Sequence, residues 1–354
     1  MTIAIIAITR NGTLLARKIR DGFAGADLYV SSRYAGQAGK NKQQFEPAAL
    51  KEKIITLWNE YDGLVFIMAT GIVVRMIAGL LESKETDPAI VVMDDAGHFA
   101  VSLLSGHLGG ANELAERCAF VSGARAVITT ATDVNLLPSF DMLAKEHDWA
   151  IDNISRVKKL NTMLLDGEQI AVVDLSGLTR SWFHGRGNLS FCETFAEAFA
   201  SKAHGYLFVT NRHLPAQTQP DNLLILRPRN LVLGIGCNRG TTAEEIEAFV
   251  CGHLKCIFLS MKSVAMIATA AAKRNEAGLQ EYASKNSLPL VFFESEELNM
   301  VAFPSPPSAE AKAAIGALGV AEPAAILASN GGKLLLNKVK SENVTLAVAE
   351  VSSL

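Results

Sequence analysis

A chain of 354 residues with 49% hydrophobic and 19% charged residues can fill the cores of two or three domains and is too apolar to be disordered. Its formal net charge of -3, with no Lys/Arg block, argues against nucleic acid or an anionic membrane as partner. A polyanionic small molecule stays open, because a few Arg or Lys side chains and helix N-termini are enough to hold one.

The opening MTIAIIAITRNG lacks a basic n-region and Arg10 interrupts its apolar run; no later segment approaches a membrane span, so a cytoplasmic protein is expected. From there strands are expected at 3–8, 28–30, 64–69, 89–93 and 126–130, with helices over 47–61, 72–81 and 111–121. This alternation predicts a mostly parallel sheet with helices on its faces, an amino-terminal domain over 1–133. The stretch 134–228 is less regular, with a helix at 157–165, a strand at 169–174 and polar, Gly-containing sequence at 180–189, and reads as a linker or lid. Arg227-Pro228-Arg229 marks a boundary, since the residue before proline is driven out of the helical region. The last domain, 229–354, alternates again: strand 231–235, helix from 242, helix 276–285, strand 290–293, helix from 323, and strands near 334 and at 344–348. The expected fold class is α/β, with two mostly parallel α/β domains at the ends joined by a smaller, less regular middle domain. PSPPS, with Pro304, Pro306 and Pro307, reads as a surface loop or mobile flap.

Five cysteines, Cys118, Cys192, Cys237, Cys251 and Cys256, fit neither a disulfide framework nor a paired zinc ribbon and are expected to be reduced thiols. Cys251, His253 and Cys256 lack two further ligands nearby, so no protein metal site is expected.

Chemistry concentrates in residues 93–114, MDDAGHFAVSLLSGHLGGANEL. Asp94 and Asp95 close an apolar strand, and ligands collect at the carboxyl ends of strands in open α/β sheets. Gly106, Gly109 and Gly110 permit close backbone approach around His107, whose imidazole titrates near neutrality and could act as a general base. Asp94, Asp95 or Glu113 could orient it; a buried histidine bonded to backbone is the competing reading. Ser105 is no nucleophile elbow, because LSGH is not GxSxG. Asn112 stands near the next helix start, where capping is the alternative role, and His98 belongs to a plain turn. In TGIVVRMIAGLL (70–81), Thr70 and Gly71 open a helix directly after a strand and Arg75 follows, so amides and guanidinium could share an anion. Lys84 in the next loop is a further carboxylate partner. LVLGIGCNRGTTAEE (231–245) supplies Gly234, Gly236, Cys237, Gly240 and Thr241 at another strand-to-helix turn. Its GxGxxxG spacing misses the dinucleotide fingerprint, so NAD is not expected. Thr241 with Glu244 and Thr242 with Glu245 both read as capping boxes. A tight turn without a ligand explains the glycines equally well.

The strings MATGIVVRMIAGLLESKETDPAIVVMDDAGHFAVSLLSGHLGGANELA and AVITTATD (126–133) resemble the amino-terminal region of cobalt-precorrin-5A hydrolases of the anaerobic cobalamin pathway. LVLGIGCNRGTTAEEIE, GALGVAEPAAIL (316–327) and VTLAVAE (344–350) resemble that family's carboxyl-terminal domain. The likeness covers most of the chain, with a vaguer middle. One departure is visible: ATAAAKRNEAGLQ keeps Lys273, Glu276 and Gly278 but lacks an acidic residue that the family tends to carry before them. The resemblance implies a cobalt tetrapyrrole substrate whose lactone is opened by water, with a two-carbon fragment then leaving as acetaldehyde. It implies no resident cofactor, because the cobalt belongs to the substrate. On that reaction His107 would be the base, Arg75 and the amides near 71 and 106–110 would be anion or oxyanion donors, and Glu322 of GALGVAEPAAIL would join the binding residues. The expected partner is the anionic substrate, with a homo-oligomer open. A non-catalytic corrinoid-binding or hand-over protein is the alternative.

Overall fold

The computed structural model describes residues 1–39, 42–83, 86–107, 109–130, 137–215 and 219–352. The chain divides into two compact units, Met1–Met142 and Leu143–Leu354. The first holds β1 (Ile3–Ala7), α1 (Arg10–Asp21), β2 (Asp27–Ser31), β3 (Gln43–Phe45), α2 (Leu50–Glu60), β4 (Gly63–Ile67), α3 (Thr70–Ile77), β5 (Ala89–Met93), β6 (Phe99–Leu104), α4 (Ala111–Ser122) and β7 (Arg125–Val127). They form a seven-stranded sheet in the order β3-β2-β1-β4-β5-β6-β7. Every residue of β1, β4 and β5 is buried, as continuous apolar strands covered on both faces must be.

The two faces follow the period of two. Ile3, Ile5 and Ala7 pack with Ala16 and Ile19 of α1 and with Leu114 and Cys118 of α4. Ala4 and Ile6 point the other way, into a core with Ile54 and Leu57 of α2 and Val73 and Ile77 of α3. The sheet is therefore doubly wound. Its strand order reverses between β1 and β4, and the carboxyl ends at such a switch point form the crevice where open α/β sheets bind ligands.

One stretch to which the sequence assigned no element is a strand. FAVSLL folds as β6, antiparallel to β5, with Ala100 beside Met93 and Leu104 beside Ile90. The reversal is made by a turn in which Gly97 takes φ 75° and its N–H donates to Asp94 O at 3.0 Å. The chain thus returns to the amino ends of the strands before it reaches Ser105. The helix expected over 72–81 starts earlier and stops at Ile77.

Helix α5 (Phe140–Glu146) crosses between the units. The stretch read as a linker or lid carries its own sheet, from β8 (Ala150–Ile151), α6 (Ile154–Leu165), β9 (Ile170–Asp174), α7 (Leu178–Phe183), β10 (Leu189–Cys192), α8 (Phe195–Ala200), β11 (Gly205–Val209) and β12 (Leu223–Arg227). Its order is β10-β9-β11-β12-β8, parallel except where β8 pairs with β12. The last sheet uses β13 (Leu231–Cys237), α9 (Ala243–Cys256), β14 (Val264–Ala270), α10 (Ala277–Lys285), β15 (Leu290–Phe293), α11 (Ser295–Asn299), α12 (Ala309–Ile315), α13 (Ala321–Ala328), β16 (Lys333–Lys340) and β17 (Val344–Glu350). Parallel β15-β14-β13 continues into an antiparallel β17-β16 hairpin. Strand β14, VAMIATA, is a further element not expected from the sequence.

Candidate active site

The carboxyl ends of β1, β4 and β5 enclose a cavity of about 480 Å³, lined by Ile8 and Thr9 after β1, by Met68 to Thr70 and Ile72 around the start of α3, and by Asp94, Asp95 and Phe99 on the β5–β6 turn. Each polar group has a local cause. Thr9 is the N-cap of α1 and its Oγ1 accepts from Gly12 N at 3.0 Å. At the start of α3, Ile72 N and Val73 N already reach back to Ala69 O, whereas the amides of Thr70 and Gly71 precede any intrahelical acceptor. The Arg75 Nη1 donates to Gly71 O at 2.9 Å, which folds an exposed guanidinium over that same turn. Phe99, 48% exposed, lends an open aromatic face to the rim.

The two acids differ. Asp94 Oδ1 accepts from Ala96 N at 3.1 Å and lies 3.2 Å from His98 Nδ1, while Oδ2 accepts from Phe99 N at 2.8 Å. Burial pushes its pKa up, but the amides of Phe99 and His98 and the His98 ring outweigh it and hold the carboxyl below the usual range. Asp94 therefore fixes the turn as an ionised acceptor. Asp95 is exposed, and its Oδ2 accepts from Thr9 Oγ1 at 3.3 Å.

His107 is not at this edge. Because β6 runs back along β5, the Ser105–Gly110 segment sits at the amino ends of the strands, where Ser105 Oγ donates to Asp87 O at 3.0 Å. A span of about 17 Å separates it from Asp94 and Asp95, five residues at about 3.4 Å each. The partner of His107 Nδ1 is Asp141 Oδ2 at 3.5 Å, on α5, and neither Asp94 nor Asp95 can orient it; Glu113 is exposed on the first turn of α4. Three amides at this helix start are engaged within the chain: Ala111 N donates to Ser105 O and Asn112 N to Gly106 O, each at 3.0 Å, and Gly110 N to His107 O at 2.9 Å. Those amides are not available to an anion. Asn112 accepts from Ser102 Oγ at 2.6 Å and donates to Thr130 Oγ1 at 3.0 Å, so it joins β6 to the segment after β7 rather than capping α4, whose N-cap is Gly110 at φ 88°. Lys84 lies outside the described residues.

The carboxyl-terminal glycine turn is likewise filled from within. A Cβ at Gly234 would overlap Ala321 O, and one at Gly236 would overlap Thr345 Oγ1, so these glycines let α13 and β17 close on β13. Gly240 N donates to Glu276 Oε2 at 3.3 Å, and Glu276 Oε1 lies 3.4 Å from Lys273 Nζ. The chain's own carboxylate thus occupies the place of an external anion. Of the two capping boxes, Thr242 is the N-cap, accepting from Glu245 N, while Thr241 Oγ1 donates to Asn238 O at 2.9 Å. Burial pushes the Cys237 thiol up, which disfavours the thiolate. Glu322 is buried and accepts from Ser305 N, Ser305 Oγ and Lys338 N; it ties the PSPPS loop to β16.

Thr9, Phe99 and Asp141 had not been singled out in the sequence. Thr9 carries a legible signal, a strand end followed by an N-cap residue; Asp141 carries none, because its pairing is tertiary. Among the described residues, no three His, Cys, Asp or Glu side chains are placed to share a metal ion, and no helix is long and apolar enough to cross a membrane.

A doubly wound sheet with a cavity at its switch point, followed by two further α/β sheets, defines a mixed, mostly parallel α/β protein of several sheets. Three family models match along it: Cobalamin synthesis G N-terminal over 52–133, Cobalamin biosynthesis central region over 138–228, and Cobalamin synthesis G C-terminus over 231–349. The chain is 38% identical over 353 residues to the cobalt-precorrin-5A hydrolase of Priestia megaterium, covering 98% of this chain and 94% of that one. It is 33% identical over 291 residues to the enzyme of that name from Salmonella typhimurium, covering 81% and 82%. A solved cobalamin biosynthesis protein G homolog from Sulfolobus solfataricus aligns over 99% of this chain and 97% of its own at 24% identity and a TM-score of 0.37. The chain belongs to the cobalt-precorrin-5A hydrolase family, as its motif strings implied.

Proposed function

We propose that this chain hydrolyses cobalt-precorrin-5A, opening its lactone with water and releasing acetaldehyde to leave cobalt-precorrin-5B, and that the switch-point cavity of the first unit is where this happens. The observation that carries the location is the meeting, in one cavity, of apolar walls, the exposed Asp95 carboxylate and the start of α3 at Thr70, whose amide has no partner among the described residues. A cavity of about 480 Å³ takes one edge of a macrocycle and leaves the remainder outside, where the Phe99 ring can stack on a flat conjugated face. The amides of Thr70 and Gly71, at the positive end of α3, suit the oxyanion that forms when water adds to the lactone carbonyl. Arg75 at the same turn suits a peripheral carboxylate of the macrocycle.

In the reaction, the water oxygen bonds to the carbonyl carbon and the ester C–O bond breaks, leaving a carboxylic acid and a secondary alcohol. The alcohol then loses its proton as its C–O becomes C=O. The C–C bond to the macrocycle breaks, its electron pair enters the conjugated ring, and a proton is returned to the ring carbon. The cobalt travels with the substrate, and no step draws on a resident metal or cofactor. The test is incubation of the protein with cobalt-precorrin-5A and measurement of acetaldehyde through a coupled alcohol dehydrogenase. One acetaldehyde per substrate consumed is expected; tight binding with no acetaldehyde would leave a carrier of the intermediate instead.

A further inference from the structure

We propose that Asp95 is the base that activates the attacking water and that Thr9 is the residue that positions it; this rests on the switch-point cavity being the reaction site. The adjacent acids lie on one turn, yet only one is available for proton transfer. Both oxygens of Asp94 are engaged, by Ala96 N and His98 on one side and Phe99 N on the other, and a carboxylate so stabilised is a poor proton acceptor. Asp95 lines the same cavity and makes one bond to the protein, through Oδ2 to Thr9 Oγ1 at 3.3 Å. Its Oδ1 has no partner among the described residues and is left to accept a proton from water.

Thr9 can hold Asp95 in only one sense. Its oxygen accepts from Gly12 N at 3.0 Å as the cap of α1, so its own O–H proton is the one that points to Asp95. The hydroxyl is fixed by a helix on one side and fixes a carboxylate on the other, which supplies the support a catalytic group needs to keep its orientation. Asp95 takes a proton from water as the water oxygen adds to the lactone carbonyl, and returns it to the departing alkoxide when the ester bond breaks. It is then ionised again, ready to take the alcohol proton as acetaldehyde forms and to pass it to the ring carbon. No oxidant, reductant or further co-reactant is consumed.

The test compares Asp95→Asn, Thr9→Val and Thr9→Ser with the wild-type chain, using acetaldehyde release for kcat and KM and thermal melting for integrity. Asp95→Asn, at an exposed turn, is expected to melt with the wild type, keep KM within a few-fold and lose about 10²–10⁴-fold in kcat. Thr9→Val is expected to lose about tenfold in kcat beyond any loss of folded protein. Thr9→Ser, which keeps both the cap and the donated bond, restores the rate. Wild-type kcat in Asp95→Asn, or a Thr9→Ser variant as slow as Thr9→Val, overturns the assignment while leaving the hydrolase reading intact. Failure of the wild-type chain itself to release acetaldehyde overturns that reading first.

Discussion

On the proposed reading, Arg75 is an exposed cation held in place for a carboxylate without being buried. Its guanidinium is anchored on Gly71 O, so it stands over the first turn of α3. A desolvated charge-assisted bond contributes about 1.5–3 kcal/mol, but solvent at an exposed position screens the pair to about 1 kcal/mol. Arg75→Ala is therefore expected to raise the substrate Kd about fivefold, read from the corrinoid absorbance on titration, with little change in Tm. An unchanged Kd with a lowered Tm would make Arg75 a structural residue. His107 stands in the opposite situation. It lies across the sheet from the cavity and pairs with Asp141, whose side chain is 7% exposed. Removing the imidazole breaks its pairing with this buried carboxylate, a loss of about 1–3 kcal/mol of stability. His107→Ala is expected to melt earlier, yet release acetaldehyde within about twofold of the wild-type rate per folded molecule. A collapse of kcat at unchanged stability would return His107 to the mechanism.

At the scale of elements, β13 depends on two residues without side chains. Adding a methyl at Gly234 drives it into the Ala321 carbonyl at the start of α13, and overpacking of this kind costs about 1–3 kcal/mol or more. Gly234→Ala is expected to lower Tm by several degrees in a thermal melt, whereas Gly252→Ala, where nothing lies within 4 Å of the added methyl, is not. The sequence shows the glycines but not what fills the space beside them. The same holds for the site. The strands 89–93 and 290–293 were legible to the residue because unbroken apolar runs have sharp ends. The Thr70–Gly71 helix start and the acids after β5 were legible as strand-end features. What was not legible was direction: FAVSLL has the composition of a short strand, but whether it continues across the sheet or doubles back is decided by its pairing with β5, and that decision moved His107 to the far edge. In the middle region the strand expected at 169–174 is β9, but β8, β10, β11 and β12, with two to five residues each, were not legible, because Gly- and Ser-bearing connectors break up the pattern around them.

Within the second unit, polar links join the middle and last sheets. Arg227, 1% exposed, donates to Asp152 Oδ2 at 2.7 Å and to the carbonyls of Thr210 and Arg212, while Lys262 reaches Asp152 Oδ1 at 3.2 Å. Asn211 and Asn230 both donate to Glu350 Oε1 on β17. Burial raises the Asp152 pKa, but Arg227 and Lys262 more than compensate and leave it lowered. A carboxylate with a depressed folded-state pKa adds stability that is fully present above its unfolded value, about 3.9, and is lost as pH falls through the folded one. Melting temperatures are therefore expected to fall steeply below about pH 4, and Asp152→Asn to lie below the wild type at pH 7 with the gap narrowing in acid. A gap that stays constant with pH would remove Asp152 from the acid response. Arg227→Ala, which leaves Asp152 with Lys262 as its remaining cation and removes the donor to the carbonyls of Thr210 and Arg212, is expected to cost about 1–3 kcal/mol in urea unfolding at pH 7.

The β5–β6 hairpin gives the two polar edges of the first sheet separate addresses. The turn at 94–98 can lengthen, shorten or change charge while β6 keeps its register on β5, so evolution can retune the cavity without disturbing the loop that starts α4, and the reverse. Sites this far apart with no shared partners combine independently, so the cavity edge and the opposite edge are free to diverge at their own rates even though only ten residues of chain lie between Asp94 and Ser105.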